Sequence, residues 1–322
     1  MVNIAVVFGG YSSEYEVSVK SGKFIYKNLK DNSDWNVFEV CISSDKNFVR
    51  YNEKVYDFDY ESFSFSVNEK VLKPDAVFNI IHGDPGENGD LAEILERNKI
   101  PQTACDVYVS KLTSNKKKYI EFVNSLGIPS SKQVLISRGD IDNLSSLSSS
   151  ITFPCIVKPN NGGSSIGVSK VYKSNELNGK VQIAFKEDDE VLIESFLDGQ
   201  EVSVGVIQNK NDRIILPITE IISDNELFDY SAKYLGESQE ITPGNVSEKS
   251  KKLILESLKN VSDPRDFRGI TCSEVGLLVD IPGILETNTI PGFTEQSIVP
   301  QQIEAQKLNV KDVINDLVRS IL

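Results

Sequence analysis

The chain has 322 residues, of which 39% are hydrophobic and 25% charged, and this composition is typical of a globular protein with more than one domain. Its longest apolar runs, such as 3–8 and 76–81, have the length of strands and are too short to cross a bilayer. A formal net charge of -13 argues against nucleic acid as the partner. The N-terminus lacks a basic segment followed by a long apolar region, so we expect no signal peptide, no membrane partner and a cytoplasmic location.

The cysteines and the histidine limit the possible chemistry further. Cys41, Cys105, Cys155 and Cys272 are scattered without CxxC or zinc-type spacing, which indicates free thiols in a reducing compartment. His82 is the only histidine, which argues against a metal site built from several histidines. A Ser-His-Asp triad would have to use His82, and no GxSxG motif accompanies it.

The N-terminal third alternates strands and helices. Residues 2–8 predict a strand that ends at Gly9-Gly10 and leads into a helix. This alternation predicts an α/β domain over 1–99 with a parallel sheet, and loops at the C-terminal edge of that sheet carry function. The further predicted elements are a helix at 16–29, strands at 36–43 and 76–81, and a helix at 90–98.

Strand signals dominate much of the remaining chain, which we divide into domains at 100–192 and 193–322. Asp198-Gly199 and Asn209-Lys210-Asn211 are typical of hairpin turns between strands. The predicted elements are a helix at 114–126, strands at 132–136, 151–158, 167–173, 189–194, 200–208 and 213–221, and a helix-strand-strand-helix run over 247–322.

Glu286-Thr287-Asn288 predicts a metal site at the end of a strand. Alternation along a strand places Glu286 and Asn288 on one face, and the strand stops at Pro291-Gly292. Carboxylate and amide oxygens two residues apart suit Mg²⁺ that carries nucleotide phosphates. The alternative is a solvated strand face, because pairs of an acid and an amide are common there.

Lys158 and the loop that follows it predict a phosphate site. The lysine ends the apolar strand 151–158, and the next residues, Asn160-Asn161-Gly162-Gly163-Ser164-Ser165, form a loop rich in free backbone N–H groups that can fold over phosphates. A lysine that emerges from an apolar strand needs an anionic partner. The alternative is a flexible turn with a lysine at the sheet rim. GxxxxGK[ST] is absent, so this is no Walker A loop.

Two more loops follow N-terminal strands at the edge where α/β sheets bind ligands. His82 to Gly89 follows the strand at 76–81, and Gly9 to Glu14 follows the first strand. Free N–H groups at the start of the next helix attract a carboxylate, and Glu14 can oppose an ammonium group. The alternatives are a solvated histidine in a glycine-rich turn and an ordinary helix-start acid at Glu14.

In their order along the chain, these motifs resemble the D-alanine:D-alanine ligases of the ATP-grasp superfamily. The resemblance covers essentially the whole chain and rests on GGYSSEYEVS, HGDPGENG, KPNNGGSSIGVSKV, IESFLDGQEVSV, PITEI followed by FDYSAKY, EITP, and LETNTIPGFTEQSIVPQQ. It implies an α/β and α+β fold of three domains, in which a parallel N-terminal α/β domain joins two α+β domains that hold ATP between antiparallel sheets. It also implies a homodimer through the N-terminal domain.

The resemblance assigns a role to each matching residue. The nucleotide residues are Lys116, Lys158 and Ser165, a hinge for adenine at Glu194, Phe196 and Leu197, and Glu201 at the ribose. The substrate residues are a trio of Glu14, Ser164 and Tyr234 that orients the first D-alanine, Lys233 beside it, His82 near the same substrate, and Gly292 and Ser297 at the second D-alanine and the oxyanion. The metal ligands are Glu274, Glu286 and Asn288.

These roles imply the ATP-dependent joining of two D-alanines for peptidoglycan precursors. The carboxylate of one D-alanine attacks the γ-phosphate of ATP and gives an acyl phosphate, while two Mg²⁺ (or Mn²⁺) ions and the lysines spread the charge. The amine of the second D-alanine then displaces phosphate through a tetrahedral intermediate. Loops close over the site and protect the acyl phosphate from water. Tyr234 favours D-alanine over D-lactate as the second substrate.

The strand before the metal pair departs from the family pattern. The family has Arg-x-Asp there, and this chain has Cys272 and Glu274. Glu274 keeps a carboxylate on the same strand face, but Cys272 cannot replace a guanidinium that offers five donors. Loss of one oxyanion donor typically costs about 10²- to 10³-fold in turnover. Arg268 is the nearest substitute, but it lies about 13 Å back along an extended strand and reaches the site only if the chain bulges.

Two alternatives therefore stay open beside an efficient ligase. The first is a divergent homologue that binds ATP and turns over weakly or not at all, because Cys272 replaces the arginine. The second is a ligase of the same fold that uses another amino or hydroxy acid as acceptor.

Overall fold

A computed structural model describes residues 1–163, 165–209, 212–223, 238–262, 267–278 and 280–322. In these ranges the strands form three sheets of seven, four and six strands. Helices pack beside them, as the sequence predicts for a mixed fold of α and β elements. No helix within the described ranges combines the length and the apolar character needed to cross a membrane.

The first sheet has a parallel centre and an antiparallel extension. This part of the chain comprises β1 (Val2–Gly9), α1 (Tyr15–Leu29), β2 (Trp35–Ile42), β3 (Phe48–Tyr51), β4 (Lys54–Asp59), β5 (Ser64–Val67), β6 (Lys70–Leu72), β7 (Ala76–Asn79) and α2 (Asp90–Asn98). The strand order is β6-β5-β4-β3-β2-β1-β7, and β1 pairs in parallel with both β2 and β7. The parallel sheet predicted from the alternation is therefore confirmed for its centre.

The antiparallel extension was not predicted from the sequence, although its turns carry a local signal. Asn52-Glu53 and Asn68-Glu69 all have positive φ and connect β3 to β4 and β5 to β6 through two-residue turns. Two-residue hairpin loops with positive φ at both positions match the right-handed twist of the strands. Asparagine before an acid is a weaker turn signal than Asn-Gly, so the pattern alone did not identify these hairpins.

The second sheet is antiparallel, with the strand order β10-β9-β11-β8. This part of the chain comprises α3 (Val107–Ser114), α4 (Lys116–Ser125), β8 (Gln133–Ser137), α5 (Leu144–Leu147), β9 (Cys155–Pro159), β10 (Ser169–Val171), α6 (Ser174–Ala184) and β11 (Glu190–Ser195). The strand predicted over 151–158 begins only at Cys155. Pro154 has no N–H to donate, which explains the late start.

The third sheet is also antiparallel and has the strand order β15-β14-β12-β16-β17, with β13 paired to β12. Its elements are β12 (Gln200–Gln208), β13 (Arg213–Ile215), β14 (Thr219–Ser223), β15 (Ser238–Ile241), α7 (Glu248–Val261), β16 (Gly269–Leu278), β17 (Ile281–Asn288), α8 (Ile298–Ala305) and α9 (Val310–Ile321). The boundaries at 99 and 192 between the proposed domains stay a prediction.

One predicted turn is wrong and another is confirmed. Asp198-Gly199 does not form a hairpin, because β11 pairs within the second sheet whereas β12 pairs within the third. The segment instead carries the chain from one sheet to the next. A hairpin between β12 and β13 is confirmed, since Gln208 pairs with Arg213. The strand predicted over 213–221 is divided into β13 and β14, with Pro217 between them.

Gln302 fixes α8 against the third sheet. Its side chain is fully buried, and its Oε1 accepts a hydrogen bond from the Gly205 N–H at 2.9 Å. Its Nε2 donates to the Ser203 carbonyl and to the Thr219 hydroxyl, each at 2.9 Å. The glutamine thereby ties α8 to both β12 and β14.

We expect Gln302→Leu to lower the free energy of unfolding by about 2–4 kcal/mol, because it leaves buried polar groups of β12 without their partners. The measurement is urea denaturation followed by circular dichroism. Gln301→Leu is the matched control, since the neighbouring side chain is partly exposed and bonds only to the Gln296 carbonyl. Equal losses in the two variants would contradict the role of Gln302.

Candidate active site

Two cavities adjoin at a common wall. The first, of about 660 Å³, is lined by loops of the first sheet and by β16 and β17. The second, of about 640 Å³, is lined by residues of the second and third sheets. Lys116, Gly162, Gly163, Glu274 and Glu286 line both cavities. Ligands bound in the two cavities would therefore meet at this wall.

Strand pairing places the predicted metal ligands side by side. Glu274 pairs with Glu286, and Cys272 pairs with Asn288, in the antiparallel register of β16 and β17. Residues that pair across antiparallel strands project from the same face. The register shifts only after Glu274, so Glu286 and Asn288 lie on one face of the sheet, as the alternation predicts.

The donor set fits a hard divalent cation that is shared with phosphates. In the part of the chain that the structure describes, no group of three or more His, Cys, Asp or Glu side chains is arranged to hold a metal. Two carboxylates and the amide of Asn288 supply oxygen ligands instead. Mg²⁺ typically binds through one or two carboxylates together with substrate phosphates. The residues therefore fit a cation that is bound jointly with a nucleotide.

Lys116 faces these carboxylates from the start of α4. Its ammonium lies 3.5 Å from the Glu286 carboxylate and donates to the Gly162 carbonyl at 2.6 Å. Asn160 is fully buried just after β9 and holds the first turn of α4. Its carbonyl accepts from the Lys116 N–H and its side-chain oxygen accepts from the Lys117 N–H, each at 3.0 Å. The end of β9 thereby determines where Lys116 lies.

Lys158 and Glu194 form a buried ion pair in the wall of the second cavity. The Nζ of Lys158 is 2.6 Å from Oε1 of Glu194, which also accepts from the Gln133 amide at 3.0 Å through its other oxygen. Burial lowers the pKa of Lys158, but the charges of Glu194 and Glu286 outweigh burial and leave the pKa above its ordinary value. The lysine therefore stays charged where a phosphate would need a cation.

The other residues that the resemblance assigns to the nucleotide line the same cavity; they are Ser165, Phe196, Leu197 and Glu201. The ammonium of Lys170 lies 3.7 Å from the ring centroid of Phe196. Gly276 and Gly283, which pair across β16 and β17, leave space for Leu197, whose Cδ1 is 3.3 Å from a Cβ placed on Gly283. This part of the cavity offers apolar surface to a flat base.

The loop after β9 approaches Glu14 in the first cavity. A Cβ placed on Gly163 would lie 2.6 Å from Oε2 of Glu14, so a larger residue would displace this carboxylate. Gly162 has a φ of +118°, a conformation that residues with a Cβ rarely adopt. Glu14 itself is buried immediately before α1. Ser164, Lys233 and Tyr234, which the resemblance places beside Glu14, lie outside the described residues.

His82 is buried, and both of its ring nitrogens are bonded. Nδ1 lies 2.8 Å from the Ile290 carbonyl, which can only accept, so Nδ1 carries the proton. Nε2 lies 3.0 Å from the Ser21 hydroxyl, which therefore donates to it. Burial lowers the pKa of His82, and the neutral ring is the form that satisfies both bonds. His82 lines the first cavity and connects it to the segment after β17.

Glu87 also lines the first cavity, and the sequence did not single it out. Its carboxylate accepts from the Gly83 N–H at 2.8 Å and from the Ile290 N–H at 3.0 Å. Burial and the charge of Glu14 raise the pKa of Glu87 to about 8. Its place in the HGDPGENG loop was the only available signal, because its partner Ile290 is 203 residues away along the chain.

Gly292 and Ser297 lie together at the first cavity. The Ser297 hydroxyl oxygen accepts from the Thr294 N–H at 2.9 Å and would lie 3.3 Å from a Cβ placed on Gly292. Ser297 immediately precedes α8, so the turn at 292–297 and the start of that helix form one wall of the cavity.

Cys272 is buried on the face that carries the carboxylates. Its sulfur is 3.0 Å from the Ser203 hydroxyl, and both residues line the first cavity. Arg268 does not replace the missing guanidinium. The pairing of β12 with β16 runs without interruption from Gly269 to Leu277, so no bulge brings Arg268 forward, and it lines neither cavity.

Family models and sequence relatives match almost the whole chain. The model described as D-ala D-ala ligase N-terminus matches residues 3–105, and the model described as D-ala D-ala ligase C-terminus matches residues 122–319. The D-alanine--D-alanine ligase of Flavobacterium johnsoniae is 42% identical over 319 residues, which cover 99% of this chain and 98% of the relative. That of Christiangramia forsetii is 42% identical over 320 residues, with coverages of 99% and 98%.

Solved structures agree with the predicted fold. The VanG D-Ala:D-Ser ligase from Enterococcus faecalis superimposes with a TM-score of 0.89 at 26% identity, covering 100% of this chain and 99% of that one. D-alanyl-alanine synthetase A from Vibrio cholerae gives a TM-score of 0.87 at 25% identity, with coverages of 99% and 98%. The three-domain ATP-grasp architecture is thereby confirmed, and the chain belongs to the D-alanine–D-alanine ligase family of ATP-dependent ligases.

Proposed function

We propose that this chain joins two D-alanine molecules at the expense of ATP and so supplies D-alanyl-D-alanine for peptidoglycan precursors. The observation that carries the proposal is the common wall of the two cavities. Lys116, Glu274 and Glu286 line both, so a nucleotide in the second cavity and an amino acid in the first meet at a lysine and two carboxylates. Phosphoryl transfer to a substrate carboxylate needs such a meeting point with neutralised charge.

The second cavity holds ATP in this proposal. Adenine lies at Glu194, Phe196 and Leu197, and the ribose lies at Glu201. The phosphates extend toward Lys158, Ser165 and Lys116. Support comes from the charged state of Lys158 and from the position of Lys116 next to Glu286.

Mg²⁺ is the cation that we assign to Glu274, Glu286 and Asn288, and Mn²⁺ suits the same oxygen ligands. When bound, a divalent ion neutralises phosphate charge and orients the transferred group. The contribution of the chain is geometric, because the register of β16 and β17 holds the two carboxylates opposite each other. Lys116 offsets part of their charge.

The first cavity holds the amino acids. Glu14 is a buried carboxylate that can bind the ammonium of the first D-alanine, and burial together with the nearby charge of Glu14 raises the pKa of Glu87. Two acids that repel each other in a cavity favour a cationic ligand. In the family pattern Ser164, Lys233 and Tyr234 complete this side, with His82 near the first substrate.

The reaction proceeds by two substitutions. A carboxylate oxygen of the first D-alanine bonds to the γ-phosphorus as the bond to ADP breaks, and Lys116 and Lys158 attract the charge of the phosphoryl oxygens. The amine of the second D-alanine then adds to the carbonyl carbon of the acyl phosphate, and the leaving phosphate takes up the proton that the amine loses. The Gly292 N–H donates to the oxyanion, phosphate leaves, and the peptide bond remains. Ser297 binds the second D-alanine.

The purified chain with ATP and Mg²⁺ should release phosphate on addition of D-alanine, because both half-sites are assembled at the common wall. L-alanine at the same concentration is the control and should give no stimulation. Mass spectrometry of the product should find the dipeptide. The proposal fails if D-alanine gives no stimulation over background at high enzyme concentration.

We expect Glu286→Gln to raise the Mg²⁺ concentration needed for half-maximal phosphate release by about 10-fold or more, because it removes a charged oxygen ligand. Glu295→Gln is the control, since Glu295 lines the first cavity but is largely exposed and pairs with Lys27 at 3.8 Å. Titration with Mg²⁺ and with Mn²⁺ is the measurement. An unchanged metal requirement in Glu286→Gln would remove this residue from the metal site.

A homologue with weak turnover is the second candidate, and Cys272 is the observation that favours it. On the described face of β16, the position of the family arginine carries a buried thiol bonded to Ser203. A thiol offers neither the charge nor the donors of a guanidinium. ATP and D-amino acids would still bind, but the oxyanion would lose a donor.

Cys272→Arg separates the two candidates. If the site is impaired, the substitution should raise kcat by several hundredfold, because one oxyanion donor is worth about 10²- to 10³-fold. Cys272→Ser keeps the size and the bond to Ser203, so it should change kcat little and serves as the control. No increase, or a loss, in Cys272→Arg would mean that the chain uses another donor.

The acceptor and the assembly also stay proposals. One solved relative is a D-Ala:D-Ser ligase. A competition experiment with D-alanine, D-serine and D-lactate, in which the products are identified by mass, would therefore determine the acceptor. The homodimer through the N-terminal domain and the cytoplasmic location rest on the resemblance and on the composition.

A further inference from the structure

The turn that follows β17 is held by side chains from the other end of the chain. Ile290 donates its N–H to Glu87 at 3.0 Å, and its carbonyl accepts from His82 at 2.8 Å. Phe293 donates its N–H to the Ser21 hydroxyl at 3.2 Å. Ser21, His82 and Glu87, here called the Ile290 clamp, thus bind both backbone groups of Ile290 and one of Phe293.

The bonds of the clamp form one consistent chain of donors and acceptors. The Phe293 N–H donates to Ser21, and Ser21 donates to Nε2 of His82. The Nδ1–H of His82 donates in turn to the Ile290 carbonyl. Glu87 accepts at both oxygens, from Ile290 and from Gly83 in its own loop. Each hydrogen bond of the clamp therefore has a defined donor and a defined acceptor.

The clamp determines the position of Gly292. Pro291 and Gly292 lie between the two residues that the clamp holds, and Pro291 has a fixed φ. Phe293 is buried and packs near Phe24 of α1, with ring centroids 6.2 Å apart. Gly292 follows β17 of the third sheet. Its backbone is nevertheless held from both sides by residues of the first domain.

We propose that Glu87 is a positioning residue for the ligase reaction, and that it acts with His82 and Ser21 by holding the Gly292 backbone where the oxyanion forms. This inference rests on the proposed function, because it needs the assignment of Gly292 to the oxyanion. The need for accurate placement is greater in this chain than in one with arginine at position 272, since Cys272 supplies no charged donor.

Glu87→Gln tests the proposal. A glutamine can accept only one of the two N–H groups and turns its own NH₂ toward the other, so the Ile290 segment shifts. We expect kcat to fall by about 10- to 100-fold, because a misplacement of about 1 Å can cost 10²-fold. KM for ATP should stay within about twofold, because the second cavity does not include Glu87.

Ser21→Ala and Ser18→Ala form a matched pair on α1. Both serines are fully buried, but Ser18 bonds to Gly9 and Ile80 within the first domain, whereas Ser21 reaches Phe293. We expect both substitutions to lower Tm similarly. Ser21→Ala should lower kcat several-fold, and Ser18→Ala should leave it unchanged.

Hydrogen exchange of the peptide over 286–297 gives a result that does not depend on activity. Exchange at Ile290 should become at least about 10-fold faster in Glu87→Gln and stay unchanged in Ser18→Ala. If the wild-type chain shows no D-alanine-dependent turnover, the proposed function fails, and faster exchange still supports the clamp. The proposal is overturned if exchange at Ile290 is unchanged in Glu87→Gln. It is also overturned if kcat falls in Glu87→Gln, Ser21→Ala and Ser18→Ala in proportion to the fall in Tm, because the effect would then be one of stability.

Discussion

Two carboxylates stand opposite each other on neighbouring strands, and the rest of the site compensates for their repulsion. Glu274 and Glu286 pair directly across β16 and β17. Like charges in this position destabilise a sheet unless a cation lies nearby. Lys116 supplies one positive charge from the start of α4, and Asn160 holds that start in place. In the proposed function, a cation bound with the nucleotide supplies the rest, which would link ligand binding to the stability of this strand pair.

The sequence predicts those parts of the site that depend on local periodicity. Glu286 and Asn288 share a face because side chains alternate along a strand, and Lys158 ends an apolar strand, so both patterns are visible in a few residues. Glu87 was missed because its bond to Ile290 spans 203 residues, and no local pattern connects the two. Asp198-Gly199 was wrongly assigned to a hairpin, since a turn signal does not specify whether the next strand pairs with the previous one or with another sheet.

Cys272 changes the chemistry of the site without changing the fold. The thiol fills a buried strand position and bonds to Ser203, and the pairing of β12, β16 and β17 is unbroken around it. A guanidinium is not needed to hold these strands together. Its loss therefore affects the charge of the first cavity and leaves the positions of Glu274 and Asn288 as strand pairing sets them. Family membership and the proposed effect of Cys272 on turnover are therefore separate questions, because the first follows from the fold and the second from one side chain.

The hydrophobic cores determine which wall of the site is fixed. One cluster joins the first and third sheets and includes Ile80, Ile270 and Phe293, whereas the cluster of the second sheet, with Val157 and Ile193, contains residues of that sheet and its own helices. The first cavity is therefore built on a continuous core, to which the Ile290 clamp adds directed bonds. The second cavity lies between the cluster of the second sheet and another cluster, in which α3 and α4 pack against the third sheet. In the proposed function, a bound nucleotide contacts both clusters and lies between Lys158 and the carboxylates of β16 and β17.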